Sequence, residues 1–431
     1  MTIHSVHDLH EDTISVDPAP CRLCGSPLNH MMIDLGMSPP CESFLLPELV
    51  DSAETFYPLR VMVCDQCWLV QLREYVDPRE IFTEYAYFSS YSTSWVDHAR
   101  RYAEMAVARF GLGGESLVVE LASNDGYLLQ HFAPFNIPVL GVEPAANVAE
   151  AAEARGVPTL VEFFGAEMAT RMVSEGRAAD LIVGNNVLAQ VPDLNDFVAG
   201  IAILLKPEGV ATLEFPHVGR LLAENQFDTI YHEHYSYFSL LTIEKMAARH
   251  GLRVIDVEEL PTHGGSLRVF LARDGSDRDT SDAVTALRDR ELAEGLDRVE
   301  TYTAFDERAR RTKRELLSFL IAAKDEGKTI CGYGAPGKGN TLLNYCGIGR
   351  DFLDFTVDRN PYKHGRYTPG MHIPIRPVDA IMAARPDYIL ILPWNLRDEI
   401  VAQLSRTADW GPKIVVPIPH VEILETRGDS K

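Results

Sequence analysis

Residues Leu117–Pro144 read LVVELASNDGYLLQHFAPFNIPVLGVEP. An aliphatic run from Leu117 to Leu121 turns through Ala122-Ser-Asn-Asp-Gly126 into a helical stretch, and a second aliphatic run ends at Glu143. Further strand-like runs follow in Asp180-LIVGNNVLAQVPD and in VATLEF. Short apolar runs alternating with helical stretches predict an α/β fold built on a parallel, doubly wound sheet. Ligands of such sheets lie outside the carboxyl ends of the strands. The small-residue turn after the first strand is expected to let a ligand approach the backbone, and an acid ending the second strand can hydrogen-bond a ribose diol. Only one strict glycine, Gly126, stands where a dinucleotide fingerprint would place three. That shortfall shifts the expected ligand from NAD to S-adenosylmethionine, which brings no pyrophosphate. Glu120, Asn124, Gly126 and Glu143, closed over by Asn185 and Asn186, are the expected donor site.

Directly after the fourth strand comes Leu213–Leu240, LEFPHVGRLLAENQFDTIYHEHYSYFSL. It concentrates Tyr231, His232, Glu233, His234, Tyr235 and Tyr237, more titratable and hydroxyl groups than a loop needs or a strand satisfies without partners. The functional reading is a site wall: a base, a carboxylate that orients it, and phenols that donate hydrogen bonds. The plain reading is a satisfied structural network. The position beyond a strand's carboxyl end favours function and places the cluster over the donor.

The rest of the chain is consistent with a multidomain enzyme. At 431 residues it has material for two or three domains. Its formal charge of -22 argues against a nucleic-acid surface, so an anionic ligand must be held locally. No apolar run approaches a membrane span and the N-terminus lacks a signal-peptide core, which predicts a soluble cytoplasmic protein. Cys21-Arg-Leu-Cys24 and Cys64-Asp-Gln-Cys67 are two CxxC pairs, each able to bite one zinc from a tight turn. Both are full, so Cys21, Cys24, Cys64 and Cys67 are read as a structural four-thiolate zinc site, against the alternative of incidental buried pairs. The intervening segment is expected to loop out, and Cys41, Cys331 and Cys346 are read as ordinary buried thiols.

From Val76 a cluster of phenols and hydroxyls (Tyr85, Tyr87, Phe88, Ser89, Ser90, Tyr91, Ser92) precedes an amphipathic helix beginning near Trp95. After Leu252 the strand pattern restarts, around Thr262-His-Gly-Gly-Ser266, and a mixed-charge helical region from Ser281 to Glu326 reads as a solvated face. Then Lys328-TICGYGAPGKGNTLLNYCGI gives a strand, Gly332-x-Gly334-x-x-Gly337-Lys338 and a helix, with Asp358 ending the next strand. This matches a nucleotide-binding βαβ fingerprint, although any α/β domain can use such a turn. The expected division is a loose segment 1–20, a zinc unit 21–75, a methyltransferase domain 76–250 and a Rossmann-like domain 251–425.

CxxC…CxxC, ELASNDGYLL, GVEPAANVA, EFPH, YHEHYSYFSL, HGGSLRV and GYGAPGKGN, in this order, resemble the S-adenosylmethionine-dependent sugar C-methyltransferases of antibiotic deoxysugar pathways. The resemblance runs from about Cys21 to the last strands. It implies a small zinc-binding N-terminal domain, a central methyl-donor domain and a C-terminal domain that helps hold a nucleoside diphosphate 4-keto-6-deoxysugar, by family habit thymidine diphosphate-linked. It also implies His234 as base, assisted by Tyr231, Glu233 and Tyr85, with His263, Gly334, Gly337, Lys338 and Asn340 toward the sugar nucleotide and its diphosphate. One departure is Gln190, where members often carry histidine in an NVLAHVPD segment. C3 of the sugar is the expected methylation site, and a monomer is compatible with the acidic, polar surface. Two rivals are a nicotinamide-dependent oxidoreductase using Gly332, Gly334, Gly337 and Asp358, and a non-enzymatic zinc scaffold.

Overall fold

The computed structural model describes residues 19–73, 88–407 and 409–425. Tyr85 and Tyr87 lie outside them. The N-terminal unit is an antiparallel sheet of β1 (His30–Ser38), β2 (Tyr57–Val63) and β3 (Val70–Leu72). In β2 the period of two is plain: Leu59, Val61 and Val63 are buried while Arg60 points out and pairs with Asp34 across the sheet at 2.8 Å.

The central sheet begins with β4 (Val118–Leu121), β5 (Val139–Val142), β6 (Thr159–Leu160), β7 (Ala179–Asn185) and β8 (Leu205–Pro216), all parallel as the sequence predicts. β6 was not foreseen, since two residues carry no periodic signal. The helix Thr93–Phe110 covers one face, burying Ala99, Tyr102, Ala103 and Ala106 at helical spacing. The Ser92 hydroxyl caps it by accepting from Trp95 N, and Gly111 ends it in the left-handed region at φ 64°. β9 (Ser236–Tyr237) leaves this domain and pairs with β3, so the His-rich stretch stitches the central and N-terminal units together.

β10 (Leu252–Leu260) and β11 (Ser266–Arg273) correct the expected boundary at residue 250. They form a hairpin that pairs antiparallel with β8, giving the order β10-β11-β8-β7-β4-β5-β6. Leu267, Val269 and Leu271 and, on the opposite face, Phe270 and Ala272 are all buried. A strand apolar on both faces belongs inside a sheet, where it covers the otherwise unpaired edge of β8.

The C-terminal unit holds β12 (Ile330–Tyr333), β13 (Thr356–Asp358), β14 (Ile375–Pro377), β15 (Tyr388–Ile391), β16 (Lys413–Val416) and β17 (Glu422–Glu425). Their order is β14-β13-β12-β15-β16-β17, parallel except for β17 at the edge. The charged region before it is not wholly a solvated face. Glu291 is fully buried, accepting from His217 Nε2 at 2.8 Å and from Leu240 N and Leu241 N at 2.7 and 2.9 Å. It thereby caps the helix Leu240–Arg249 from outside, where a carboxylate meets the positive end of the helix dipole. The helix Phe305–Asp325 buries Phe305, Ala309, Thr312, Leu316 and Leu320 along one stripe. Its apolar residues, those of β1 and β2, and those of the C-terminal strands form one continuous core.

Candidate active site

A continuous cavity of about 890 Å³ runs from the carboxyl ends of β4 and β5 to the first turn of the helix Gly337–Cys346. At its donor end, Ala122 (φ 54°) and Asn124 (φ 49°) hold the turn after β4 in the left-handed region, and both line the cavity. The Glu143 carboxylate accepts from Asn124 N at 3.0 Å and Ala145 N at 2.9 Å, locking the two strand-end loops together. Each oxygen keeps a lone pair for a diol. Asn185 lines the same cavity, 8% exposed, with both side-chain polar atoms unpaired. A buried amide without partners marks a place where a ligand supplies them.

Two expected donor residues serve this loop from behind. Gly126 (φ +75°) faces Val157 and Ala152, where a Cβ would stand 3.0 Å from Val157 Cγ2, so it permits packing rather than ligand approach. Glu120 is buried beneath the turn, hydrogen-bonded to the Tyr127 phenol; it is Tyr127 that lines the cavity. Ser89 N donates to Asn124 Oδ1 at 2.9 Å, bringing the end of the hydroxyl-rich segment to the donor loop.

The histidine wall is buried and faces the same space. Tyr231, Glu233 and His234 all line the cavity. The His234 ring lies 4.1 Å from that of Tyr231 and is hydrogen-bonded to the Thr229 carbonyl. Burial, with smaller contributions from His263 and Lys338, pushes His234 down to about 3, so the ring is neutral at physiological pH. The expected orienting role of Glu233 is not what the geometry shows: its partner is the Cys41 thiol, 3.8 Å away. Burial first, and then the Glu42 carboxylate, push Glu233 up to about 8. His232 is turned away, its Nε2 3.2 Å from the Pro58 carbonyl oxygen.

His263 lines the opposite wall in a left-handed conformation (φ 53°), its Nε2 3.0 Å from Asn186 Nδ2. Trp95 packs edge-on against it at 5.1 Å and stacks on His98 at 4.9 Å. His98 and Arg268 in turn bind the buried Glu214 carboxylate at 2.9 and 2.7 Å. Burial alone would raise Glu214, but these two partners bring it to about 2. The pair fixes the helix carrying Trp95 to β8.

The C-terminal fingerprint is used differently from a dinucleotide site. Gly334 (φ +88°) makes room for Pro393, since a Cβ would lie 2.5 Å from its Cδ. Gly334→Ala is expected to cost about 1–3 kcal/mol through strain and overpacking, read as a lowered Tm. Asp358 turns its carboxylate inward, accepting from Ala335 N at 2.7 Å and Asn360 N at 2.8 Å. Asn340 is buried and holds the Cys41 carbonyl at 2.6 Å. The Gly337 amide, at the helix N-terminus, donates to Glu42 from the N-terminal unit. Gly337 and Lys338 alone of the expected sugar-nucleotide residues on this helix face the cavity. Lys338 Nζ donates to Asn395 Oδ1 at 3.0 Å and lies 4.8 Å from the Trp394 ring centre.

Three profiles match this chain in tandem: a zinc binding domain over residues 21–82, a methyltransferase domain over 95–257 and a C-methyltransferase C-terminal domain over 261–419. C-methyltransferase NovU of Streptomyces niveus is 37% identical over 407 residues, covering 94% of this chain and 96% of its own. The chain belongs to the C-methyltransferase family. Solved structures match in part: magnesium protoporphyrin IX methyltransferase of Synechocystis PCC 6803 with bound SAH (14% identity, 41% of this chain, 82% of that one, TM-score 0.33) and a SAM-dependent methyltransferase of Anabaena variabilis (16%, 42%, 86%, 0.35).

The C-methyltransferase carries its zinc site as the sequence predicts. The ligand atoms of Cys21, Cys24, Cys64 and Cys67 lie within 4.8 Å of one another, and the pairs Cys21–Cys67 and Cys24–Cys64 stand 3.5 Å apart. Tetrahedral zinc with bonds of about 2.3 Å separates its sulfurs by about 3.8 Å, so the cluster fits the ion. Gln71 Nε2 donates to Cys21 Sγ at 3.1 Å and Gln66 N to Cys64 Sγ at 3.4 Å, a supporting shell for thiolates. S-adenosylmethionine is the methyl donor of this C-methyltransferase, and the unpaired Asn185 amide with the Glu143 carboxylate fits it.

Sequence reasoning missed the wall built from Pro40, Cys41, Glu42 and Tyr57. The segment between the CxxC pairs does not loop away but closes the site. It also missed Trp95, Tyr127 and Phe164, aromatics that read as core. No helix of the described residues is long and apolar enough to cross a membrane.

Proposed function

We propose that this C-methyltransferase methylates the carbon beside the ketone of a nucleoside diphosphate 4-keto-6-deoxysugar, thymidine diphosphate-linked and at C3. The observation that supports the reading is the single cavity that joins the donor loop to a neutral, buried histidine and a half-buried lysine. Carbon becomes a nucleophile only after it loses a proton, and a neighbouring ketone makes that proton removable. His234 is the base, its other nitrogen held by the Thr229 carbonyl. Lys338 receives the diphosphate. That negative charge raises His234 toward neutrality and strengthens it as a base when substrate is present. Tyr231, against the His234 ring, is a donor toward the keto oxygen, and the part expected of Tyr85 falls outside the described residues. Glu143 holds the ribose diol of the donor, and His263 closes the sugar side. S-adenosylmethionine supplies an electrophilic sulfonium methyl for the carbanion.

The test is mass spectrometry of a thymidine diphosphate 4-keto-6-deoxysugar incubated with the protein in heavy water. Deuterium uptake beside the ketone without donor, and methyl gain with donor, are expected. Neither signal from zinc-replete protein across several 4-keto sugars would remove the enolate mechanism.

A further inference from the structure

Two carboxyl groups share one corner of the cavity, and their surroundings differ. Glu42, at the solvent-facing rim, accepts from the Gly337 amide and has Lys363 Nζ 3.5 Å away. Glu233 stands deeper, 5% exposed, with the Cys41 thiol against Oε1. The titratable groups that act on it are Glu42 and Cys41 from the N-terminal turn and Lys363 from the C-terminal unit, and His234 is its sequence neighbour on the same wall. No lysine, arginine or histidine nitrogen pairs with it among the described ion pairs. When two carboxyls share one corner, the charge settles on the one with the cation, the amide and the solvent, and the buried one keeps its proton.

We infer that Glu233 works as a neutral carboxylic acid, the hydrogen-bond donor to the substrate's keto oxygen while His234 takes the α-proton. The inference rests on the substrate class proposed above. It reverses the role that a glutamate beside a histidine suggests in sequence. The C–H bond breaks, its proton goes to the His234 ring and its electron pair moves into the enolate. The oxygen, now negative, is held by the Glu233 O–H. When the pair returns to form the new carbon–carbon bond, Glu233 still has its proton. Base and donor must be in opposite protonation states at one pH. The shifts of His234 down to about 3 and Glu233 up to about 8 leave both in the required form across the interval between.

Three measurements test this. Infrared difference spectra of wild type against Glu233→Gln, without substrate at neutral pH, should show a protonated carboxyl band lost in the variant. Glu233→Gln, whose amide still donates, should keep activity within about tenfold and lose the alkaline limb of the pH profile, whereas Glu233→Ala should lose about 10²–10³-fold. Glu42→Gln leaves Glu233 in place but removes the like charge, and should move the alkaline limb of the profile to lower pH. An ionised Glu233 band at neutral pH, Glu233→Gln as impaired as Glu233→Ala, or an unmoved limb in folded Glu42→Gln would each overturn the inference. If wild type turns over no 4-keto sugar, the substrate reading fails, and the infrared spectrum still decides the protonation state.

Discussion

His234→Asn loses methyl transfer by about 10²–10⁴-fold, the range set by removing a positioned general base. Asparagine can keep a hydrogen bond to the Thr229 carbonyl, but it cannot accept a proton. The loss therefore falls on kcat, and deuterium exchange into the substrate without donor disappears with it. The neighbour His232 is the internal control. It is buried, bonded to the Pro58 carbonyl and directed away from the cavity, so His232→Asn lowers the Tm and leaves kcat near wild type. Parallel loss of exchange and methylation in the one variant and not the other assigns the base. Wild-type exchange by His234→Asn would sink the assignment.

Removal of zinc has the larger structural effect. Structural four-thiolate sites contribute apparent folding energies of about 10–16 kcal/mol in small domains. Here the ion also governs the reaction indirectly. The strands between the two cysteine pairs, β1 and β2, share a core with the C-terminal unit, and the turn at Pro40–Glu42 with Tyr57 walls the cavity. Cys64→Ser, or chelation, is expected to lower the Tm sharply and abolish turnover together, with zinc content measured on the same samples. A zinc-free protein that kept its Tm and its turnover would show that the cysteines merely pack.

Much of this was legible in the chain. Local periodicity fixes element type, so the parallel strands β4, β5, β7 and β8, the helix from Trp95 and the second α/β unit are readable from short windows. Exact short spacings do the same for the two CxxC pairs, and the order of motifs carries the family. What a window cannot hold is which distant surfaces meet. Only tertiary packing placed β10 and β11 on the edge of β8, because a strand apolar on both faces is equally at home in either sheet. Only packing made the inter-cysteine segment a cavity wall, buried Glu291 at a helix start, and turned the glycine fingerprint toward Pro393 and Glu42. The sequence shows that Glu233 adjoins His234; that its carboxyl meets Cys41 and shares a corner with Glu42, instead of orienting the base, depends on residues nearly two hundred positions away. Protonation states follow burial and neighbouring charge, and both exist only once the three units have closed on one another.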